Sequence, residues 1–161
     1  RDCTTNKYNT KNLGINNKPL GRVLKLIGVP SGAKVLTPFS IPNWILKDRT
    51  YFARFINRLM SCEGCVDMQN RYIEIRMHKS LKLIEDGKAF FSDIKNYLDK
   101  YFGIRATNVF LGGKASIRKD GIKTKAIRLK IKRKDSVLKY RDYIGFDNEI
   151  KKKKLDSILE N

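Results

Sequence analysis

Apolar residues repeat at two different spacings along the chain, and these spacings predict alternating helices and strands. Spacing of three and four residues predicts helices from Asn17 to Gly28, from Asp48 to Gly64 and from Ser80 to about Phe102. Two further helices are predicted from Asp135 to Tyr143 and from Asn148 to Leu159. Asn17 and Asp48 are residue types that cap helix N-termini, and Gly64 is expected to end its helix in a left-handed turn.

Four short segments between the helices are predicted to be strands. They are Cys65–Met68, Tyr72–Met77, Ala106–Leu111 and Thr124–Arg133. In the second and the fourth, apolar and polar residues alternate, so each strand is expected to bury one face and expose the other. Gly112-Gly113 and Asp120-Gly121 are both suited to turns. From residue 48 onward the predicted order is helix–strand–strand–helix–strand–strand–helix, an α+β fold with an antiparallel sheet.

The first 47 residues are predicted to form a region of their own, ahead of a main domain at residues 48–161. Residues 1–17 are polar and predict a strand remnant or a loose arm. Pro42, together with Pro38 just before the segment, makes residues 39–46 unsuitable for a central strand. Trp44 and Ile45 are expected to pin that segment to the core of the main domain.

Charge is the strongest compositional signal. The chain carries 35 Lys and Arg against 16 Asp and Glu, a net charge of +19. Residues 105–154 hold 17 Lys and Arg against 5 Asp and Glu, whereas residues 48–104 hold 10 against 8. Such an excess predicts attraction to a polyanion, and nucleic acid is favoured over a membrane because no basic amphipathic helix stands out. A merely solubilising surface is the alternative.

Other features of the composition narrow the class of protein. No apolar run approaches the roughly 20 residues of a membrane-spanning helix, and no signal peptide opens the chain. We therefore expect no membrane partner and an intracellular location, cytoplasmic or nucleoid-associated. Cys3, Cys62 and Cys65 are odd in number and fit a reducing compartment. Cys62 and Cys65 form one CxxC pair and His78 is the single histidine, so a tetrahedral zinc site lacks ligands.

Glu63 is the candidate for chemistry. It falls in the last turn of its predicted helix, where a carboxylate is unfavourably placed against the helix dipole. A metal ion or a reacting group would account for this position, and a solvated side chain at a helix end is the alternative. No nucleotide-binding or serine-nucleophile motif occurs in the sequence.

The segment Ile56-Asn-Arg-Leu-Met-Ser-Cys-Glu-Gly64 resembles the nine-residue signature of the LAGLIDADG homing endonucleases. The matching positions are Ile56, Leu59 and Met60 as apolar residues, Glu63 as the acid and Gly64 as the glycine. The departures are Asn57 and Arg58, in place of small residues, and Ser61, in place of the earlier acid. Leu26 to Lys34, Ile41 to Ile45, and Ile144-Gly-Phe146 with its following lysines look like the archaeal and intein-type members of the family.

The resemblance implies a fold and an assembly. The family fold is an αββαββα domain whose antiparallel sheet forms a DNA-binding saddle, and two motif helices pack side by side. The residues expected to face the second motif helix are Phe55, Ile56, Arg58, Leu59 and Cys62. This chain holds one motif, so a second LAGLIDADG repeat is expected. It lies either upstream in a longer protein, with residues 1–47 as the tail of the first repeat, or in a second copy as a homodimer.

The resemblance also implies an active site. In the family, the acid at the foot of each motif helix binds a divalent metal between two DNA strands. Glu63 is then the catalytic residue, and it holds Mg²⁺ or another divalent metal together with the backbone carbonyl of Gly64. One Glu63 is not enough for this chemistry, so a second acid is expected from the partner motif.

By analogy with the saddle of that family, the expected DNA-binding residues lie on the two alternating strands, and the final helix adds lysines that are expected to contact phosphates. They are Tyr72, Glu74, Arg76, Arg128, Lys130, Lys132, Lys151 and Lys152. A two-stranded ribbon fits the major groove, where outward cations reach phosphates or guanine edges. A solvated sheet face is the alternative for any single residue.

These features together predict site-specific binding of double-stranded DNA and metal-dependent hydrolysis of a phosphodiester, the activity of an intein- or intron-encoded homing endonuclease. A non-cleaving DNA-binding regulator or an intron-splicing maturase on the same fold is the alternative. An RNA-binding protein, which rests on charge alone, is a third possibility.

Overall fold

The computed structural model describes residues 2–5, 11–14 and 16–160. Its Cα positions divide the chain into two compact units, one ending at Ser31 and the other beginning at Gly32. The predicted boundary between residues 47 and 48 is therefore displaced toward the N-terminus. The physical reason is that Ile41, Ile45 and Leu46 are buried in the core of the second unit.

The first unit consists of a strand pair and a helix. Strands β1 (Asp2–Thr5) and β2 (Lys11–Gly14) pair antiparallel, and helix α1 spans Lys18–Leu26. The side chain of Asn17 accepts a hydrogen bond from the Leu20 amide at 2.9 Å, which confirms the predicted N-cap. The apolar face predicted for this helix is exposed along its length: Leu20, Val23, Leu24 and Ile27.

The second unit contains the remaining elements in chain order. They are α2 (Asn43–Leu46), α3 (Arg49–Glu63), β3 (Gly64–Asp67), β4 (Tyr72–Ser80), a 3-10 turn (Leu81–Leu83), α4 (Ile84–Phe102), β5 (Phe110–Ile117), β6 (Lys123–Ile131), α5 (Lys134–Tyr143) and α6 (Glu149–Glu160). The predicted alternation of one helix with two strands is confirmed from α3 to α5. Among the described residues, none of the helices combines the length and the apolarity that a bilayer crossing requires.

The strands of the second unit form one antiparallel sheet in the order β3-β4-β6-β5. The two central strands turn alternate apolar residues to the core: Ile73, Ile75 and Met77 from β4, and Ile127, Leu129 and Ile131 from β6. Residues of α3 and α4 belong to the same buried cluster. The sheet therefore has one face covered by helices and one face turned away from the core, as the alternation predicts.

Helix α3 begins and ends at the predicted residues. The Asp48 carboxylate accepts a hydrogen bond from the Tyr51 amide at 2.8 Å, which confirms the N-cap. The left-handed turn predicted at Gly64 is wrong, because this residue has φ −76° and ψ 162° and starts β3 directly. Glycine is required there for space, since a Cβ atom would lie 2.7 Å from the Met60 carbonyl oxygen.

Two further expectations differ from the structure. Gly112 and Gly113 do not form a turn but lie inside β5, where the register with β6 shifts between Gly112 and Ser116. The hairpin turns at Arg118–Ile122 instead, around the predicted Asp120-Gly121 pair. Trp44 is 47 % exposed, so it does not pin its segment to the core, whereas Ile45 is buried as expected.

Candidate nucleic-acid interface

The outer face of the sheet, opposite the helices, gathers most of the residues predicted to meet DNA. In the register of β4 and β6, Glu74 lies opposite Lys130 and Arg76 lies opposite Arg128. Tyr72 shares this face because it is two residues from Glu74 on the same strand. Strands predicted from separate parts of the sequence therefore place these side chains side by side.

Glu74 is the buried centre of this face, with 4 % of its surface exposed. Its carboxylate accepts hydrogen bonds from Nε and Nη2 of Arg128, both at 2.7 Å, and lies 3.2 Å from Nζ of Lys130. Burial acts to raise the pKa of Glu74, but the hydrogen bonds from Arg128 and Lys130 outweigh it and lower the pKa. The prediction that Glu74 faces DNA is corrected: its charge is occupied by its two neighbours.

The cations on this face differ in the exposed fraction of their side chains and in whether a carboxylate pairs with them. The side chain of Arg128 is 28 % exposed and that of Lys130 is 13 % exposed. Lys130 Nζ lies 3.9 Å from the ring centroid of Tyr72, a cation–π contact that covers it further. Arg76 and Lys132 are exposed, and within residues 16–160 neither forms an ion pair with a carboxylate.

The tip of the β5–β6 hairpin adds cations that the sequence prediction missed. Residues 113–121 are all exposed, and they include Lys114, Arg118 and Lys119. Arg118 is 3.1 Å from Asp120, which lies in the turn itself. The Lys and Arg residues on both sides of the Asp120-Gly121 turn are the signal in the sequence, but the predicted strand ends at Leu111 and leaves them outside the sheet.

The foot of α3 carries Glu63 among lysines. The Glu63 carboxylate is partly exposed and forms an ion pair with Lys34. Nζ of Lys151 donates to the carbonyl oxygens of Met60 at 3.2 Å and of Ser61 at 2.7 Å. The prediction that Lys151 contacts DNA phosphate is therefore corrected. Its ammonium bonds two carbonyl groups in the last turn of α3, where the negative end of the helix dipole favours a cation, whereas Lys152 is exposed.

The residues at this foot fit a divalent metal only in part. Among the described residues, no three His, Cys, Asp or Glu side chains lie close enough together to hold a metal ion. Glu63 and the Gly64 carbonyl can supply two oxygen ligands, whereas Mg²⁺ takes six. Cys65 lies nearby on β3, and burial, followed by the charge of Glu74, raises the pKa of its thiol. A raised pKa disfavours the thiolate that binds metals.

The face predicted to meet a second motif helix is only partly available. Ile56 is 1 % exposed and belongs to the core of its own unit, so its predicted role at a helix interface is wrong. Helical spacing put it on the same face as Phe55 and Leu59, but the core lies against that edge of the helix. Phe55 and Leu59 are partly buried, and Arg58 and Cys62 are exposed.

The three departures from the LAGLIDADG signature share one neighbour, the segment between α5 and α6. Asn57 donates to the Ile144 carbonyl at 2.9 Å, and Arg58 is 2.9 Å from the Asp147 carboxylate. The Ser61 hydroxyl accepts a hydrogen bond from the Asp147 amide at 2.8 Å. These polar residues thus fasten α3 to residues 144–147 of the same chain, a role that spacing along the sequence does not reveal.

Comparisons with known proteins give one distant relative. The chain is similar to the tRNA-splicing ligase RtcB of Methanopyrus kandleri, with 24 % identity over 146 residues. The match covers 88 % of this chain and 14 % of that protein. No family model matches the chain, and no solved structure matches it.

Proposed function

We propose that this chain is a LAGLIDADG-type domain that binds double-stranded DNA through the outer face of its sheet, as part of a site-specific homing endonuclease. The observation that carries the proposal is the placement of a cation-rich antiparallel sheet beside a helix that ends in Glu63-Gly64. The order of elements from α3 to α5 is the order expected for that family. The net charge of +19 suits a polyanionic partner.

DNA binding is proposed to divide between two kinds of cation. Arg76 and Lys132 are exposed and without an ion pair in the described part of the chain, so they suit contacts with phosphates. Arg128 and Lys130 are paired with Glu74 and are less exposed than Arg76 and Lys132. A two-stranded antiparallel ribbon, such as β4 with β6, fits the major groove of B-form DNA.

Cleavage is proposed to depend on Glu63. A divalent ion on its carboxylate would supply Lewis acidity and a bound water. Glu63 fits half of such a site, so the proposal includes a second LAGLIDADG repeat that brings the other acid. An upstream repeat in a longer protein is the preferred arrangement, and the RtcB relative likewise contains its matching stretch within a much longer chain.

A non-cleaving DNA-binding regulator or maturase on the same fold is the second candidate. The ion pair between Lys34 and Glu63 favours it, because an ammonium group already neutralises the carboxylate that a metal would need. The two candidates share the sheet surface and differ only at the foot of α3.

The proposed surface is tested by measuring binding to a fluorescent random-sequence DNA duplex at several salt concentrations. Replacing Arg76 and Lys132 together with alanine is expected to weaken binding and to lower the slope of log K against log salt by about 2, because each phosphate contact releases a counterion. The matched control replaces Lys18 and Lys25 of α1, which are also exposed. Equal losses from both pairs would indicate a diffuse polycation and contradict the proposal.

Assembly and cleavage are tested together. If the partner repeat lies upstream, light scattering should report a monomer of this 161-residue chain, which binds DNA without cutting it. A stable dimer that cuts with Mg²⁺, and loses cutting but not binding in Glu63→Gln, would replace this arrangement with the homodimer. A dimer whose cutting survives Glu63→Gln would remove Glu63 from the active site.

A further inference from the structure

Arg128 is held in one orientation by Glu74. Two of the five N–H groups of its guanidinium, on Nε and Nη2, point at the two oxygens of the Glu74 carboxylate at 2.7 Å each. This bidentate arrangement fixes the plane of the guanidinium as well as its position. Arg128 is also connected to Glu74 across the centre of the sheet, between two paired strands, so the anchor itself is rigid.

The neighbouring strand β5 leaves space for the side chain of Arg128. Gly112 lies beside it, and a Cβ atom at this position would be 2.5 Å from Cδ of Arg128. Gly112 does not have a positive φ, so its backbone conformation would accept alanine and the side chain of Arg128 is the obstacle. The ring of Phe110 lies 5.6 Å from the guanidinium carbon and closes the other side.

The anchored arginine keeps a free edge. Three N–H groups remain after the contacts with Glu74, and one on each terminal nitrogen point in parallel away from the carboxylate. The side chain is 28 % exposed on the face that turns away from the core. Two parallel donors match the O6 and N7 acceptors that guanine presents in the major groove.

We propose that Glu74 and Gly112 position Arg128 to read a guanine base through the tip of its guanidinium. The inference rests on the proposed DNA-binding function and deepens it by naming a specificity residue. Glu74 acts as a positioning residue and does not contact DNA.

The charges around Arg128 favour a base over a phosphate as its partner. Glu74 offsets one of the two positive charges that contact it, which weakens the pull on a phosphate. Arg76, directly opposite Arg128 in the sheet register, has no such offset within residues 16–160 and serves as a phosphate contact. A hydrogen bond to a neutral base edge depends on the orientation of the donor more than on its charge. The contact with Glu74 fixes that orientation.

The test is selection of binding sites from a random-sequence duplex library, first with the unmodified 161-residue chain. We expect the selected sites to share a guanine whose replacement weakens binding about tenfold or more. Glu74→Gln, Arg128→Lys and Gly112→Ala should each reduce that discrimination to about threefold or less. Arg128→Lys keeps the charge, so its salt dependence should be unchanged.

The control is Glu85→Gln, which makes the same chemical change at an exposed carboxylate paired with Lys88 at 2.8 Å. It should keep the guanine preference in full. If Glu74→Gln fails to fold, Arg128→Lys and Gly112→Ala carry the test, because both keep the Glu74 carboxylate and the two positive charges that pair with it. Guanine discrimination that survives in these variants overturns the inference alone, whereas an unmodified chain that selects no site overturns the proposed function with it.

Discussion

Two buried charges lie on opposite faces of strand β4, and they have different surroundings. Lys79 points into the core side with 0 % exposure, where its ammonium meets Asp86 at 3.1 Å, donates to the Thr37 carbonyl at 2.7 Å and lies 3.9 Å from the Phe39 ring centroid. Glu74 points to the outer face and is covered by two cations. Lys79 is paired with one carboxylate, whose side chain is 25 % exposed, whereas Glu74 is paired with two cations of the outer face.

This difference separates a structural ion pair from one that can serve binding. Burying a charge costs several kcal/mol unless it is paired and hydrogen-bonded, and both residues meet that condition. The Lys79 ammonium is fully buried, so it has no surface to offer a ligand. Around Glu74, the exposed parts of Arg128 and Lys130 remain on a surface that carries further free cations.

The largest loss of stability is expected when Lys79 loses its carboxylate partner. Asp86→Ala leaves a fully buried ammonium with a backbone carbonyl and a ring as its contacts, and the free energy of unfolding should fall by about 3 kcal/mol or more. Urea denaturation measures it. Asp93→Ala, on the same helix but without an ion pair in residues 16–160, is the control and should change stability much less. A loss below about 1 kcal/mol would show that Lys79 does not depend on Asp86.

A smaller and pH-dependent loss is expected for Glu74→Gln. The pKa of Glu74 is lowered in the folded protein, so its stabilisation is present above the ordinary carboxyl value of about 4.3 and is lost as the pH falls through the lower folded value. At pH 7 the variant should be less stable by about 1–3 kcal/mol. The difference between the two proteins should shrink below about pH 4. A difference that stays constant from pH 7 to pH 3 would contradict this account.

The smallest change is expected for Lys130→Met. The bidentate contact between Glu74 and Arg128 stays intact, and the methionine side chain still covers Tyr72. Stability should fall by less than about 1 kcal/mol. Chemical denaturation of this variant and of Glu74→Gln compares the stabilisation that depends on Lys130 with the stabilisation that depends on the Glu74 charge. An equal loss in both variants would show that Lys130, and not Arg128, holds the carboxylate.

The sequence predicts the two central strands well because alternation is a local property, whereas the predicted strand Ala106–Leu111 is wrong and overlaps β5 only at Phe110 and Leu111. Ile73, Ile75 and Met77 alternate with polar neighbours, and the structure turns them inward as expected. The same alternation places Glu74 on the outer face but does not show that it is covered. Its partners are 54 and 56 positions away in the sequence, and the pairing of β4 with β6 brings them together.

Other features of the site depend on contacts that a local pattern does not contain. Gly112 and Gly113 suit a turn or a bulge equally by composition, and β5 pairs with β6 on both sides of Gly113, which makes the site a bulge and not a turn. Arg58 and Ser61 depart from the motif because Asp147, more than 80 positions later, bonds to both. The placement of Lys34 beside Glu63 likewise joins a loop to a helix end across 29 positions.

The bulge in β5 has a consequence for how this protein can change over evolutionary time. It separates the part of the hairpin that packs on the sheet from residues 113–121, none of which is buried. Apart from Gly113 and Gly121, whose φ angles are positive, substitutions in that tip alter charge and shape at the surface with little effect on folding, because surface changes away from the core usually alter stability by less than about 0.5 kcal/mol. Mutations can therefore accumulate at the tip at little cost to folding, while Gly112 and Arg128, which pack closely against each other behind the bulge, stay under constraint.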